Sequence, residues 1–388
     1  MQSDRLKKLP PYLFVEIDRK KAEYVRSGRE VLDLGIGDPD LGAPSELIDT
    51  LKDSLEETAY HRYPSDRGLP LLIEAIRGWS RELYGVSLGS DEILVTIGSK
   101  EAIGHLPLAT VDPGDVVLIP DPGYPVYTSS AVFAGANPVK MPLLKENGFF
   151  PDFSKIAQED LKQARLIYLN YPNNPTAATA DKKRFEDAVS FCGENALLLV
   201  NDAAYSEISY DKRQEALFPL AKERGIEYME LFSFSKTFAI TGWRIGFAIG
   251  SPAVISALAR LKANMDSGVF SAIQAAAATA LETGFAEITG RIIEIFRKRR
   301  DTLAESLNRG GFSFTVPEAT FYFWIEVPGG GPSIDYCGKL LEETGIVATP
   351  GTGFGENGEG YFRLSITAPD DTILKAGRKL EELGATPL

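Results

Sequence analysis

Cysteine and histidine are nearly absent from this chain of 388 residues, with two of each. Cys192 and Cys337 stand in apolar surroundings without CxxC or Cys/His spacing, which argues against a disulfide framework and reads them as reduced core residues. His61 and His105 have no second ligand at helical spacing, so both read as hydrogen-bonded structural residues and no metal is expected. No run of about 18 apolar residues occurs, and the stretch MQSDRLKKLPPYLFVEIDRKK has no apolar centre of the kind that directs export; a soluble, cytoplasmic chain is expected. Positive charge is in short supply, 41 basic against 54 acidic residues for a net −13, and no basic run stands out. Nucleic acid and anionic membrane are therefore poor partners. A dinucleotide fingerprint is missing too: Gly35 and Gly37 mimic part of GxGxxG, but the motif is broken and no helix opens at once. They serve either a close backbone approach to a ligand or a plain tight turn.

What is present is enough apolar sequence, 44%, for a sizeable core, and a length that calls for two domains or a large one with a smaller partner. Residues 1–44 read as an arm: PPYLF extended, then a short helix ended by Gly28, then a strand running into a Gly/Pro turn. A helix capped by Ser45 extends to Tyr60, and the loop HRYPSDRG leads into the amphipathic helix LPLLIEAIRGWSRELYG. The runs EILV, VVLIP, ARLIYL, ALLLV and MELFS alternate with helical segments, and their unbroken apolar character suits a mainly parallel sheet covered by helices on both faces. From Ser251 to Asn308 the pattern is helical, and the last eighty or so residues form a small α+β unit. Gly351, Gly353 and Gly355 lead into the strand YFRLSIT rather than a helix and read as a turn.

In such a sheet ligands bind beyond the carboxyl ends of the strands. Asn174, Asp202, Tyr205, Ser233 and Lys236 all fall there. The stretch LFSFSKTFAITGWRIG, residues 231–246, is the centre of this reading, because neither strand nor helix periodicity explains it. A lysine that forms a Schiff base must lose its proton near neutral pH, which a partly buried place beside other cations favours; Lys236, eight residues before Arg244, fits. The hydroxyls of Ser233 and Ser235 with the Arg244 fork suit a phosphate dianion. Gly98, Ser99 and Lys100 make either a second phosphate site at a helix start or an ordinary strand-to-helix turn. Tyr124, between Gly123 and Pro125, either stacks on a planar ligand or packs on the core. Asp202, behind an apolar run, needs a cation or a proton donor. Arg363 is either an ion-paired core residue or an anion fork.

Read together, YPSDRG, GSKEAI, DPGYPVY, NYPNNPT, NDAAY, SFSKTFAITGWRIG and FRLS resemble, in order and spacing over nearly the whole chain, the class I/II pyridoxal-phosphate aminotransferases of fold type I. The resemblance implies an α/β large cofactor-binding domain, residues 45–275, a small C-terminal domain, residues 276–388, and an arm, residues 1–44, that contributes part of the small domain. It implies that Lys236 holds pyridoxal 5'-phosphate as a Schiff base and shuttles the substrate proton, and that Asp202 pairs with the pyridinium nitrogen. It further implies that Tyr205 and Asn174 bond the phenolic oxygen and Tyr124 stacks on the ring. Ser99, Lys100, Ser233, Ser235 and Arg244 would hold the phosphate with Tyr63 of a second subunit, so a homodimer with shared sites is implied. Arg363 would fork the α-carboxylate of amino-acid and 2-oxo-acid substrates, helped by Asn174 and the Gly37 backbone. Within the family, LDLGIGDPDLGAP, HRYPSDRGLP, NMDSGVF and GEGYFRLSIT are similar to the LL-diaminopimelate aminotransferases of lysine and peptidoglycan biosynthesis. The alternative is a broader transaminase acting on alanine, aspartate or aromatic amino acids. Ala177 stands where NNPT is usually followed by glycine. Asp66 falls where an acidic residue crosses the dimer to the distal amino group, and either does that or serves its own turn.

Overall fold

Strands rich in valine, isoleucine and leucine without alternation fit a sheet buried on both faces, and they are used that way. In the computed structural model, which describes residues 2–9, 14–26 and 28–387, a seven-stranded sheet forms the centre. Its order is Ile93–Thr96, Gly246–Gly250, Tyr228–Ser233, Leu198–Asp202, Ala164–Leu169, Val116–Asp121, Asn137–Pro142. Gly246–Gly250 runs antiparallel to both neighbours, and the remaining pairs are parallel. Alternate residues feed two cores. Val117, Ile119, Leu166 and Val200 pack with residues of the helices Ser99–Thr110, Val126–Ala134 and Pro252–Met265, while Leu118, Ile167 and Leu199 join the larger core on the other face. Each such side chain withdrawn from water contributes on the order of 1.5–3 kcal/mol.

A three-stranded antiparallel sheet, Thr349–Pro350, Tyr361–Ser365 and Tyr322–Glu326, carries the C-terminal unit, in which the helices Phe285–Arg309 and Asp370–Leu383 pack together. The short strand Leu32–Asp33 pairs in parallel with Ile346–Val347 and draws the N-terminal segment onto this unit. Residues 34–40 then run toward the edge of the large sheet, with Asp40 paired to Arg299.

Two local expectations need correction. Ser45 is not a cap: Pro44 holds that place without a side-chain bond, and Ser45 is the first helical residue, its hydroxyl donating to Glu46. That helix ends at Ser54 and a 3-10 turn, Thr58–His61, follows. The reason is packing: Leu55 is exposed, so nothing apolar beyond Leu51 draws another turn onto the core. The helix Pro70–Tyr84 does match, with proline in its first turn and Gly85 ending it in the left-handed conformation. The helical stretch after Ser251 divides into Pro252–Met265, Ser271–Thr283 and Phe285–Arg309. The extended reading of PPYLF falls on Pro10 to Leu13, outside the described residues, and Phe14 opens the helix Phe14–Arg26. Among the described residues no helix is long and apolar enough to cross a membrane.

Candidate active site

The carboxyl ends of the parallel strands open on a cavity of about 500 Å³. Tyr228–Ser233 delivers Ser233 to this edge and then breaks into a single helical turn, Phe234–Thr237, which carries Ser235 and Lys236 into the cavity. The Lys236 Nζ donates to the Gly37 carbonyl at 2.8 Å. Burial pulls the Lys236 ammonium down to about 8; Asp38 opposes this, and the positive charges of Arg244 and Arg363 add to it. A lysine so placed gives up its proton within reach of neutral pH.

Asp202 ends the neighbouring strand. Its Oδ2 accepts from the Tyr127 hydroxyl at 2.8 Å, while among the described residues its buried Oδ1 has no hydrogen-bond partner. Burial pushes its carboxyl up to about 6, against Tyr127 and, more weakly, the nearby Ala204 backbone amide. A buried carboxylate oxygen without a donor is costly, and the deficit faces the cavity. Tyr205 and Asn174 line the same wall. Asn170 braces both neighbours, its Nδ2 donating to the Asp202 carbonyl at 2.6 Å and its Oδ1 accepting from the Asn174 amide at 2.9 Å.

Ser99, Lys100, Ser233, Ser235 and Arg244 meet at one end of the cavity. Among the described residues the buried Ser235 Oγ has no hydrogen-bond partner. Arg244 adopts a left-handed φ of 56° and its Nη1 donates to the Thr241 carbonyl at 2.9 Å. Gly98 takes a φ of +73°, which favours glycine, and a Cβ there would press on the Arg244 Nη2 at 2.8 Å. Behind this turn lies a buried charge, in a stretch whose sequence shows only a helical pattern. Lys262 is 0% exposed and its Nζ donates to Glu101 at 2.9 and 3.0 Å and to Asp266 at 2.6 Å. Glu101 also accepts from the Ile97 amide, so the ammonium is tied to the backbone of the turn. Glu101, His105 and Asp266 bring their ligand atoms within 4.8 Å of one another, but the cation there is Lys262 itself.

Arg363, on the strand Tyr361–Ser365, closes the other end. Its Nη1 donates to the Asn174 Oδ1 at 2.7 Å and its Nη2 to the Gly35 carbonyl at 2.8 Å. Among the described residues no carboxylate pairs with it, and its buried Nε is unpartnered, which removes the ion-paired core reading. Tyr322 and Phe354 hold its guanidinium between their rings, at 4.1 and 4.8 Å from the centroids. Tyr124 lines the cavity with its ring edge against Tyr127 and the Lys100 ammonium 6.0 Å from its centroid.

Two expected site residues are not part of this cluster. Tyr63 is 91% exposed, and Asp66 is exposed on the same loop; neither lines the cavity. Three others were missed. Tyr127 lies three residues after Tyr124, a helical spacing that could have pointed to it. Asn170 sits in the quoted NYPNNPT. Tyr322 stands in the aromatic run FYFW, to which the sequence alone gave no role. His61 bonds the Leu55 carbonyl at 2.9 Å as a structural residue would, whereas the His105 Nδ1 has no hydrogen bond and stands 3.6 Å from Glu101. Cys192 and Cys337 are both buried. Ala177 takes a left-handed φ of 59°, a conformation that favours glycine.

These residues fit pyridoxal 5'-phosphate. The unpartnered Asp202 oxygen lacks the kind of donor that a pyridinium nitrogen is, Ser235 and Arg244 meet beside a glycine turn suited to a phosphate, and the lysine is poised between them.

Comparison with known proteins gives the same direction. The family described as aminotransferase class I and II matches residues 29–380. An LL-diaminopimelate aminotransferase of Dehalococcoides mccartyi is 46% identical over 382 residues, covering 97% of each chain. Among solved structures, substrate-bound BacF of Bacillus subtilis superposes with a TM-score of 0.93 at 33% identity, covering 99% of this chain and 98% of that one. An aspartate aminotransferase mutant of Thermus thermophilus superposes with a TM-score of 0.92 at 28% identity, covering 99% of each.

Proposed function

The chain belongs to the class I and II aminotransferases, enzymes dependent on pyridoxal 5'-phosphate, and from that premise we propose that it exchanges an amino group between LL-2,6-diaminopimelate and 2-oxoglutarate. The products in that direction are tetrahydrodipicolinate and glutamate, and the reverse reaction would serve lysine and peptidoglycan synthesis. The observation that carries the substrate is the 46% identity, over 97% of both chains, to a relative of that name.

When bound, the cofactor supplies an electron sink for the charge left when the substrate Cα proton departs. The residues of the chain do the rest. Asp202 would accept from the ring N–H and, with a cation beside it, stay ionised. Tyr205 and Asn174 would orient the phenolic oxygen, and Tyr124 would pack against the ring. Ser99, Lys100, Ser233, Ser235 and Arg244 would hold the phosphate. The Lys236 amine, once unprotonated, takes and returns the Cα proton. Arg363 forks the α-carboxylate, with Asn174 and the Gly37 backbone fixing its plane. Tyr63 and Asp66 act in the site of a second copy, Tyr63 on the phosphate and Asp66 on the distal ammonium group of the substrate; exposed Phe270, Met265 and Leu71 offer apolar surface for such a homodimer. The large domain would span residues 45–275, the small one 276–388 with part of the arm 1–44, and the enzyme would work in the cytoplasm.

The test is 2-oxoglutarate-dependent amino transfer by the purified holoenzyme offered LL-diaminopimelate, meso-diaminopimelate, aspartate, alanine and phenylalanine. Strong preference for the LL isomer is expected. Activity on the simple amino acids with none on LL-diaminopimelate would replace the proposal with a broader transaminase.

A further inference from the structure

Tyr322 touches both ends of the chemistry and has been given no part in it. It lies on the strand Tyr322–Glu326, 3% exposed, with its amide held by the Thr320 hydroxyl at 3.1 Å. Its hydroxyl is 3.1 Å from that of Tyr205, and its ring lies under the Arg363 guanidinium. The hydroxyl occupies the space a side chain at position 37 would need: a Cβ on Gly37 would stand 2.0 Å from it. Glycine at 37 therefore admits Tyr322 to the cavity wall.

A phenol has one proton to give and can accept more than one. Among the described residues Tyr205 is the hydrogen-bond partner of the Tyr322 hydroxyl. Were Tyr205 the donor, its one proton would be spent on Tyr322 and none would be left for the cavity. With Tyr322 as donor both protons are used, and that of Tyr205 points inward. Burial and the neighbouring Tyr322 hold the Tyr205 phenol well above its ordinary value, so it stays a neutral donor.

We propose that Tyr322 is a positioning residue with two separable tasks: its hydroxyl aims and strengthens the Tyr205 proton toward the phenolic oxygen of the cofactor, and its ring holds the Arg363 fork for the substrate carboxylate. The inference rests on the function proposed above. Hydrogen bonds in series polarise one another, so the Tyr205 bond weakens when its own donor is removed.

The experiment uses holoenzyme of the wild type, Tyr322→Phe, Tyr322→Leu, Tyr205→Phe and the Tyr205→Phe/Tyr322→Phe double variant. Two quantities are read: the pH midpoint of the bound cofactor's visible absorbance, and the Kd of 2-oxoglutarate from its effect on that absorbance. A donor to the phenolic oxygen favours its ionised form and lowers the midpoint. Tyr322→Phe is therefore expected to raise the midpoint by about half a pH unit and leave the Kd within about twofold. Tyr322→Leu, which also removes the ring, should weaken 2-oxoglutarate by about fivefold. Tyr205→Phe should raise the midpoint further, and adding Tyr322→Phe to it should change nothing more. An unmoved midpoint in Tyr322→Phe alongside a moved one in Tyr205→Phe overturns the relay and leaves the proposed function standing, as do shifts that add in full. A midpoint unmoved in Tyr205→Phe overturns the relay and the role given to Tyr205 together. If the leucine variant does not fold, the phenylalanine variants decide the relay alone.

Discussion

Asp202 and Glu230 are buried carboxylates on adjacent strands, and burial raises both, Asp202 to about 6 and Glu230 to about 7. Their surroundings differ. Glu230 has all it needs within the protein: the Asn201 amide opposite it at 2.7 Å and the Leu217 and Phe218 backbone amides at 3.1 and 2.8 Å. Asp202 has Tyr127 on one oxygen, and among the described residues the other has no hydrogen-bond partner. Burial and a raised pKa therefore do not mark a functional acid here; an unpaired oxygen facing a cavity does. Glu230 anchors the start of the helix Phe218–Arg224, whereas Asp202 is left for a ligand to complete.

The comparison is most severely tested at Asp202 itself. Asp202→Asn should lower kcat/KM for amino transfer by about 10³-fold, while the thermal midpoint of cofactor-free protein stays level or rises because a buried charge has gone. A variant that keeps full activity, or loses both properties together, breaks the distinction. Lys262 offers a third kind of buried charge, a cation paired on two sides behind the phosphate turn. Lys262→Met leaves the buried Glu101 carboxylate and the part-buried Asp266 without their cation and should cost about 3–5 kcal/mol in a urea titration of the apoprotein. A loss under about 1 kcal/mol would show that water relieves both acids.

Tyr63 stands for the opposite extreme, a side chain almost wholly in solvent. If it completes the phosphate site of a second copy, Tyr63→Phe should weaken pyridoxal phosphate binding by about tenfold, measured by equilibrium dialysis, with unfolding unchanged. Unaltered affinity would confine the phosphate site to one chain. The smallest effect belongs to Glu230. Because burial raises its folded pKa above the unfolded 4.5, its contribution to stability is full below that value and is lost as pH rises through about 7. Glu230→Gln removes the titration, so its denaturation midpoint should gain on the wild type from about pH 5 to about pH 8, with kcat unaltered. A constant offset across that range would mean that Glu230 does not titrate there.

Much of the architecture is legible along the chain because it depends on local signals. The apolar runs that make the sheet, the glycine that ends the helix Pro70–Tyr84 and the arrival of Asn174, Asp202, Tyr205, Ser233 and Lys236 at one edge need only strand period and strand direction. The resemblance of separated motifs then suffices for the family and the cofactor. What the chain alone left open were contacts between residues far apart. Arg363 could be an ion-paired core residue until its surroundings showed two rings, two carbonyl oxygens and no acid. Lys262 read as one more helix residue, because its partner Glu101 lies 161 positions away. Tyr322 had no role along the chain, because its polar tip meets Tyr205 across 117 positions. Secondary structure follows from what neighbours in sequence can bury, but the satisfaction of a buried polar atom is settled by whichever distant segment the fold brings against it, and only the tertiary structure decides that.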